Sequence, residues 1–373
     1  MIYLDSGATT LQKPPSVAAA SAYAINHLSS PGRGGYRSAM QAGETAFLCR
    51  QAAAELFHVP SPEQVVFTFN ATHGLNIAIK TLIRPGSRVV ISGYEHNAVT
   101  RPLHALDRVT VRVADGPLFD RQAMTEAFRR ALDQGADAAV CTHVSNVFGY
   151  ILPIEEISVL CRERGVPLIV DASQSAGALP VDFTALGAAF LAMPGHKGLY
   201  GPQGTGLLLC GEEGAPLLEG GTGSESRRQE MPRFLPDRLE AGTHNIAGIA
   251  GLLEGIRYVR SVGTEAILNH ERRLIRLLGK GIAQWPGAEV FLSPDPAAQS
   301  GVLSFRVKGF DCEMIGTKAG ESGIALRSGL HCAPLAHSTA GTLDTGTVRA
   351  SVSAFNTERE IRQVLHSLPR ILS

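Results

Sequence analysis

The chain has 373 residues, and its 34 Lys and Arg residues balance 34 Asp and Glu residues. A net charge of zero disfavours nucleic-acid binding and electrostatic attachment to membranes, because both need a basic surface. With 44% apolar and 18% charged residues, the composition is typical of a folded globular protein. The sequence shows neither an apolar run of the roughly 18–20 residues that a membrane helix needs nor a signal-peptide pattern. We therefore expect a cytoplasmic protein.

The six cysteines are scattered and include no Cys-x-x-Cys pair. A chain of this size does not need disulfides for stability. Four cysteines lie in apolar or helical surroundings and are predicted to be small core residues, namely Cys49, Cys141, Cys161 and Cys210. Cys332 has glycine and polar neighbours instead, which indicates a different role.

The middle of the chain alternates apolar runs with stretches of helical periodicity. The predicted strands are 65–69, 88–92, 138–142, 167–171, 189–193 and 206–210, and the predicted helices lie near 40–57, 73–84, 97–106, 120–134 and 153–164. Apolar runs without alternation indicate strands that are covered on both faces. Strand–helix alternation predicts a mostly parallel sheet with right-handed crossovers.

The pattern changes near residue 245. One long helical region is predicted over about 245–285, followed by a strand over 302–307, a helix near 311–320 and a strand over 347–352. A last amphipathic helix follows Thr357, which forms a capping-box pattern with Glu360. We predict a large α/β domain over 14–260 and a smaller α+β domain made of 1–13 and 261–373.

A glycine-rich turn between two predicted strands carries a single lysine. Lys197 lies in the segment 193–206, which contains no carboxylate to pair with it. A lysine held this way can lose its proton and act as an amine nucleophile, as Schiff-base chemistry requires. The alternative is a glycine-rich hairpin with a solvated lysine.

An aspartate ends the predicted strand 167–171. Ligands of open α/β sheets bind at the carboxyl ends of strands, and a buried Asp171 there needs a cationic partner. The pyridinium nitrogen of pyridoxal phosphate is such a partner. Taken alone, Asp171 is equally well explained as a helix N-cap. Together with Lys197 it favours the cofactor.

Two strand-to-helix turns supply further candidates. In segment 69–76, the amides of a helix start and the Thr72 hydroxyl would bind phosphate, with ordinary helix capping as the alternative. In segment 94–97, an aromatic ring such as that of His96 would lie over a flat cofactor, although a single histidine is more often structural.

Cys332 lies in a short polar segment, 327–334, with Arg327 and His331 nearby. Positive neighbours favour the thiolate, which is the nucleophilic form. His331 is a candidate base for the thiol. A zinc site made of His331, Cys332 and His337 is disfavoured by the spacing and by the lack of further ligands, so we expect no metal.

Arg349 lies inside the short predicted strand 347–352, which has no other charge. The planar fork of an arginine suits a bidentate carboxylate, so Arg349 is a candidate for holding a substrate carboxylate. An internal ion pair is the alternative.

In chain order, these segments resemble the class V aminotransferases, and among them the group II (SUF-type) cysteine desulfurases and selenocysteine lyases. The resemblance runs from segment 3–10, through 193–206 and 327–334, to 349–357, and so covers nearly the whole chain. It implies the fold of type I pyridoxal-phosphate-dependent transferases, with a large, mostly parallel α/β domain and a smaller C-terminal α+β domain.

The resemblance also implies roles for individual residues around pyridoxal phosphate. Lys197 would form the Schiff base, Asp171 would pair with the ring nitrogen and Gln174 with the ring hydroxyl. His96 would stack on the ring and act in catalysis. The remaining implied cofactor contacts are Ala71, Thr72 and His196 near the phosphate, Asn146 at a cofactor oxygen, and Thr243 at the phosphate of a partner subunit.

For the substrate, the resemblance implies that Arg349 and Asn146 bind L-cysteine, which is converted to L-alanine. Cys332 would accept the sulfur as a persulfide and pass it to a carrier protein, for example for iron–sulfur cluster assembly. Because Thr243 and the loop 220–224 would face the other subunit, the resemblance implies a homodimer with shared sites.

Three positions depart from the family pattern. Pro194 stands where a Ser or Thr often supplies a phosphate hydroxyl, Tyr36 where many relatives carry His, and Ser6 where Asn is frequent. The alternatives are a selenocysteine lyase, a class V aminotransferase or C–S lyase in which Cys332 is not a nucleophile, and a cofactor-containing scaffold without turnover.

Overall fold

The structure of the protein, a computed structural model, describes residues 1–32 and 34–372. The helices, numbered α1 to α12 in chain order, are Pro15–His27, Arg37–Phe57, Ala71–Leu82, Asn97–His104, Arg121–Asp133, Ile154–Glu163, Phe183–Leu186, Ile246–Val262, Thr264–Ile282, Cys312–Glu321, Pro334–Thr339 and Glu358–Leu372. The strands, numbered β1 to β13, are Ile2–Tyr3, Val65–Thr68, Arg88–Ser92, Thr110–Ala114, Ala138–Thr142, Leu168–Asp171, Phe190–Pro194, Gly206–Cys210, Ala288–Phe291, Val302–Val307, Ile324–Ala325, Arg327–Gly329 and Thr347–Ser351.

A seven-stranded sheet with the order β2-β8-β7-β6-β5-β3-β4 forms the centre of the molecule. The pairs from β7 through β6, β5 and β3 to β4 are parallel, and β8 is antiparallel to both of its neighbours. Strands β2, β5, β6, β7 and β8 are buried along their whole length, as expected for strands with helices on both faces. The predicted mostly parallel sheet is therefore confirmed.

A second, antiparallel sheet with the order β12-β13-β10-β9 lies in the C-terminal part of the chain. It packs with α9, α10 and α12 around a separate apolar core that also contains Ile2 and Leu4 from the N-terminus. The start of the chain joins this core because β1 pairs with β11 and Asp5 bridges to Ser351. The domain division at 14 and 260 stays a prediction.

Local sequence signals account for many of the element boundaries. The strands at 88–92, 138–142, 206–210 and 302–307 match the prediction at both ends. The last helix begins with the predicted capping box, in which the Glu360 amide and the Thr357 side chain form one bond and the Glu360 carboxylate accepts from the Thr357 amide. Cys49, Cys141, Cys161 and Cys210 are buried, as predicted.

The helical region predicted over about 245–285 is present but interrupted once. The structure has two helices, α8 and α9, because Gly263 adopts a φ of 88° between them and ends the first helix. Helix α1 and strands β4, β9, β11 and β12 were not predicted. These strands are short or partly exposed, so they lack a clear apolar pattern. No helix in the described part of the chain is long and apolar enough to cross a membrane.

Two glycines fix the turn that carries Lys197. Gly177 has a φ of 82°, and a Cβ atom there would come within 2.2 Å of the Gly198 carbonyl oxygen. At Gly198, a Cβ atom would come within 2.4 Å of the Ala176 carbonyl oxygen. The two backbones therefore touch, and this contact holds the lysine turn against the end of β6.

Gly177→Ala is expected to lower the free energy of unfolding by about 2–3 kcal/mol, because it combines a left-handed backbone with a backbone clash. The matched control is Gly320→Ala, since Gly320 is in α10 with open space around its Cα. The control should be neutral or slightly stabilising. Equal stability of the two variants in urea denaturation would contradict this explanation of the turn.

Candidate active site

The loops that follow β2, β3, β5, β6 and β7 meet at one edge of the central sheet, where ligands of α/β folds usually bind. They enclose a cavity next to Lys197. The cavity is lined by Asn70, Ala71, Thr72, His96, Ala98, Thr142, Val144, Asn146, Asp171, Ser173, Gln174, Pro194, His196 and Lys197. The structure thus brings together eight of the predicted cofactor residues, and Thr243 is not among them.

Lys197 lies in the turn between β7 and β8. Its backbone carbonyl accepts hydrogen bonds from the Tyr200 amide (2.9 Å) and the Thr10 hydroxyl (3.3 Å). Burial of the amine, assisted by the positive charge of Arg349, lowers the pKa of Lys197 to about 8, while Asp171 opposes this shift. A larger fraction of the amine is therefore neutral at physiological pH than in an exposed lysine.

Asp171 ends β6 at the floor of the cavity and is buried. One carboxylate oxygen, Oδ1, accepts a hydrogen bond from the Ser173 amide at 2.8 Å. Asp171 therefore also stabilises the turn after β6, which resembles the capping role that was the alternative prediction. The same carboxylate lies near His96, whose pKa it raises, and near Lys197.

His96 precedes α4 and lines the cavity. Its Nδ1 accepts a hydrogen bond from the Ala98 amide at 3.0 Å, so the histidine caps the helix and its Nε2 is left for other partners. Burial is the main cause that lowers the pKa of His96, and the charge of Lys197 acts in the same direction. The neutral imidazole is the favoured form at physiological pH.

The N-terminus of α3 forms another wall of the cavity. Asn70 caps the helix by accepting a hydrogen bond from the His73 amide, and Ala71 and Thr72 contribute the first-turn amides. Helix N-termini attract anions because these amides have no acceptor within the helix. A Cβ atom at Gly206 would lie 2.8 Å from the Asn70 backbone, so only glycine lets β8 pass this turn.

Gln174 and His196 connect the cavity to the N-terminal segment. The Gln174 side-chain amide donates to the Gly7 carbonyl at 2.9 Å. The His196 Nδ1 lies 3.0 Å from the Thr9 hydroxyl, and burial lowers the pKa of this histidine to about 4. Both side chains are therefore fixed by residues from the start of the chain.

Arg349 is buried in β13 beside the cavity. One of its terminal nitrogens donates to the Asn146 carbonyl at 3.0 Å, and the other donates to Asp5 at 2.7 Å. The alternative prediction of an internal ion pair is thus correct for Asp5, which also pairs with Arg327 at 3.1 Å. The Arg349 Nε has no partner in the described part of the chain. A buried donor without a partner is costly, so this edge of the guanidinium is suited to an anionic ligand.

Cys332 is exposed at the tip of a loop whose backbone is held at two points. The Cys332 carbonyl accepts from the Asn97 amide, and the His331 carbonyl accepts from the Asn146 side chain, both at 2.8 Å. His331 and Cys332 both have positive φ angles, of 50° and 56°. Two successive left-handed residues are strained, and such strain is retained where the surroundings determine the loop.

His331 does not fit the predicted role of a base for Cys332. Its ring is buried, and Nε2 lies 3.1 Å from the Thr347 carbonyl, to which it donates. Burial, assisted by Arg349, lowers the pKa of His331 to about 2, so the ring holds a proton poorly. The buried ring instead anchors the loop that carries Cys332 to strand β13. In the described part of the chain, no group of three or more His, Cys, Asp or Glu side chains is arranged to hold a metal ion.

Thr243 lies outside the cavity, in an exposed groove that it shares with Gly221 to Ser224. The loop that carries it is anchored by Glu240, whose carboxylate accepts two hydrogen bonds from Arg50 and one from the Phe67 amide. Sequence reasoning missed this buried ion pair. The only signal in the sequence was Arg50, a charged residue among apolar residues of α2.

The three departures from the family pattern lie in different surroundings. Pro194 ends β7 and lines the cavity, so the chain supplies no hydroxyl at that point. Ser6 is buried in a neighbouring cavity that also contacts Lys197. Tyr36 is exposed and occupies the N-cap position of α2 without a side-chain capping bond, and it is not among the cavity residues.

Comparison with known protein families assigns the chain. Residues 2–364 match the aminotransferase class-V family. The chain belongs to the class-V aminotransferase family. Two relatives of this class-V chain are a probable cysteine desulfurase of Methanothermobacter thermautotrophicus, 33% identical over 99% of this chain and 94% of the relative, and a cysteine desulfurase of Salmonella agona, 32% identical over 100% and 93%.

Solved structures of class-V relatives have the same fold. The apo cysteine desulfurase of Thermococcus onnurineus superimposes with a TM-score of 0.92 at 29% identity, covering 99% of this chain and 94% of that one. An Escherichia coli cysteine desulfurase with an S-sulfonic acid gives a TM-score of 0.87 at 26% identity, with the same coverage. The predicted type I transferase fold is confirmed.

The cavity of this class-V chain fits pyridoxal phosphate. It combines a lysine of lowered pKa, a buried carboxylate and a helix N-terminus, which suit an aldehyde, a ring nitrogen and a phosphate respectively. The unpartnered Nε of Arg349 suits a substrate carboxylate. No residue in the described cavity contradicts this set of groups.

Proposed function

We propose that the protein is a pyridoxal-phosphate-dependent cysteine desulfurase, which converts L-cysteine to L-alanine and transfers the sulfur to Cys332 as a persulfide. The observation that carries this proposal is the position of Cys332. The thiol is exposed on a strained loop, and its backbone is bonded to Asn97 and Asn146, which adjoin or line the cavity of Lys197. An incidental surface cysteine would have no need for this support.

Pyridoxal phosphate would be held by Lys197 through a Schiff base, by Asp171 at the ring nitrogen and by Gln174 at the ring hydroxyl. His96 would stack on the ring. The cofactor supplies an electron sink for the carbanion at the substrate Cα. Further contacts are proposed for Ala71, Thr72 and His196 near the phosphate and for Asn146 at a cofactor oxygen.

Lys197 would act as the base at the substrate Cα once its amine is free. Its pKa of about 8 makes the neutral amine available near physiological pH. The turn holds this amine in place because the backbone of Lys197 is bonded to Tyr200 and Thr10. Arg349 would orient the substrate by binding its carboxylate through Nε and the adjacent terminal nitrogen, while Asp5 keeps the guanidinium in position.

In the sulfur-transfer step, the Cys332 thiolate would attack the substrate sulfur. An S–S bond forms and the C–S bond breaks, and the electron pair of the broken bond stays with the carbon skeleton that becomes alanine. A carrier protein would then remove the persulfide sulfur from the exposed Cys332. We propose that this carrier, rather than release into solvent, is the acceptor, because the thiol lies at the protein surface.

The distribution of exposed apolar residues supports a homodimer. Phe47, Phe69, Leu218 and Phe234 are exposed, and the first three line grooves that also contain Thr243. Isolated exposed apolar residues are common, but several around two grooves that share Thr243 indicate an interface. We propose that Thr243 reaches the cofactor phosphate of the partner subunit.

Cys332→Ala is expected to abolish persulfide formation and nearly all alanine production from cysteine, because the sulfur acceptor is lost. Binding of cofactor at Lys197 should persist. The loss with selenocysteine should be smaller, since selenium leaves carbon more easily. The measurement is alanine formation from both substrates, with and without a thiol acceptor, together with mass spectrometry of Cys332.

The control variant is Cys312→Ala, which removes a buried thiol outside the cavity. It should retain activity. If Cys332→Ala makes alanine from cysteine as fast as the unmodified protein, the nucleophile role is refuted and a C–S lyase or aminotransferase becomes the better assignment.

Arg349→Lys keeps the charge but loses the planar fork, so the KM for cysteine should rise strongly. Loss of a charge-assisted contact in a buried site should cost about 2–3 kcal/mol, which is a factor of tens or more in kcat/KM. Steady-state kinetics checks this. Unchanged kinetics would show that the ion pair with Asp5 is the whole role of Arg349.

The dimer is tested by sedimentation at the assay concentration. A two-fold dimer is expected, because the grooves around Thr243 would otherwise leave apolar side chains exposed. A monomer with full activity at that concentration would refute both the dimer and the role of Thr243.

A further inference from the structure

The short helix α11 begins two residues after Cys332 and packs on the part of the molecule that contains the central sheet. Ala336 in this helix, and Ala333 just before it, are buried in the same apolar core as Tyr94. Strand β12, which precedes Cys332, belongs to the C-terminal sheet instead. The loop that carries Cys332 therefore crosses from one apolar core to the other, and its position depends on how α11 is attached.

Two hydrogen bonds attach this segment to the turn that follows β3. At the start of the segment, the Cys332 carbonyl accepts from the Asn97 amide at 2.8 Å. At the last residue of α11, the Thr339 hydroxyl donates to the Gly93 carbonyl, also at 2.8 Å. Gly93 and Asn97 lie on either side of His96 in the sequence. Both ends of the segment are thus fastened to the turn that carries His96.

Thr339 is in direct contact with Gly93. A Cβ atom at Gly93 would come within 2.6 Å of the Thr339 Oγ1 and within 3.1 Å of its Cγ2. Gly93 does not have a left-handed φ, so a left-handed backbone is not the reason for glycine at this position. The close approach of the Thr339 side chain supplies a reason, because a larger residue would push α11 away from the turn.

Neighbouring strands hold the turn itself in place. The Gly93 amide donates to the carbonyl of Ala114, the last residue of β4, at 3.0 Å. The buried Glu95 carboxyl group accepts from the amide of Thr142, the last residue of β5, at 2.7 Å. Thr339 therefore attaches α11 to a turn that two strands of the central sheet fix.

We propose that Thr339 is a positioning residue for sulfur transfer, whose hydroxyl holds the segment of Cys332 against the turn of His96. The inference rests on the proposed function and deepens it, because it concerns how the sulfur acceptor is placed. Attack of one sulfur on another requires the two atoms to be close and aligned. A misplacement of about 1 Å can cost about 100-fold in rate.

Thr339 can be altered without changing a residue of the cofactor cavity. Neither Thr339 nor Gly93 is among the described residues that line this cavity. Asn146, whose side chain also bonds to the cysteine loop, does line it. The bond from Asn97 is made by its backbone, so no side-chain substitution removes it. A substitution at Thr339 therefore separates placement of the loop from binding.

The first test measures persulfide formation on Cys332 from L-cysteine in the loaded enzyme by mass spectrometry. Thr339→Val replaces the hydroxyl with a methyl group, which cannot approach the Gly93 carbonyl as closely as 2.8 Å. The end of α11 must then move away from the turn. At saturating L-cysteine the rate should fall about tenfold. The half-saturating concentration should not change, because Arg349 is unaltered.

A rescue variant and a matched control accompany this measurement. Thr339→Ser keeps the hydroxyl, so it should restore the rate of the unmodified protein. The control is Thr125→Val, which removes another half-buried hydroxyl, bonded to the Arg121 carbonyl at 2.9 Å within α5. It should leave the rate unchanged. Exchange of the Cα proton of L-alanine with deuterated solvent should be unchanged in all three variants, because this step does not use Cys332.

The second test needs no turnover. Hydrogen exchange of the backbone amides of segment 333–340, in the loaded enzyme without substrate, reports local opening of this segment. Thr339→Val should speed this exchange about threefold or more, and Thr339→Ser should not. Gly93→Ala, whose Cβ atom displaces the Thr339 side chain from the other side, should also speed it. This variant keeps the test available if Thr339→Val does not fold.

Equal rates of persulfide formation in Thr339→Val and in the unmodified protein would overturn the proposal, as would a Thr339→Ser variant as slow as Thr339→Val. An equal loss of alanine exchange would also overturn it, because the whole site would then be loosened. If the unmodified protein forms no persulfide, the proposed function fails. Amide exchange still decides the attachment, which is refuted if both Thr339→Val and Gly93→Ala leave segment 333–340 unchanged.

Discussion

The ion pair between Asp5 and Arg349 connects the two ends of the chain and underlies the geometry of the candidate site. A buried guanidinium needs an anionic partner, and the N-terminal segment supplies it at 2.7 Å. From Arg349 the network continues to the Asn146 carbonyl, and from the Asn146 side chain to the His331 carbonyl beside Cys332. The substrate-binding candidate, a wall of the cavity and the cysteine loop are thus fixed relative to one another. This connection explains why the first residues pack with the C-terminal sheet although they are far from it in sequence.

Around the candidate site, several ionisable side chains are buried without enough opposite charge nearby to offset the loss of water. Lys197, His96 and His196 all have lowered pKa values, and in each case burial is the first cause. Neutral amines and imidazoles are the forms that can accept protons or lie against a ring. At Glu271 in α9, burial raises the pKa, because there the ionised form is an anion. Burial thus shifts each of these groups toward its neutral form.

Most strands of the central sheet could be predicted from the sequence, because strands that are buried on both faces form unbroken apolar runs. The sequence was also sufficient to bring Lys197, Asp171 and His96 together, since each follows a strand of the same sheet and strand ends share an edge. It was not sufficient for Asp5 or for the Arg50–Glu240 pair. Their roles depend on contacts between segments that lie far apart in the chain, and a single charged residue gives no signal of its partner. The break at Gly263 was missed because glycine is also tolerated inside a helical pattern.

The loop that carries Cys332 is held in one backbone conformation by contacts with the rest of the fold. A long flexible loop would have to be ordered at each sulfur transfer, at an entropic cost for every residue fixed. Here the backbone is already bonded at His331 and Cys332, and the left-handed conformations of both residues are maintained by these bonds and by the buried His331 ring. The backbone at Cys332 is therefore fixed. Under the proposed function, a carrier protein that removes the persulfide would therefore approach a loop whose backbone is already fixed.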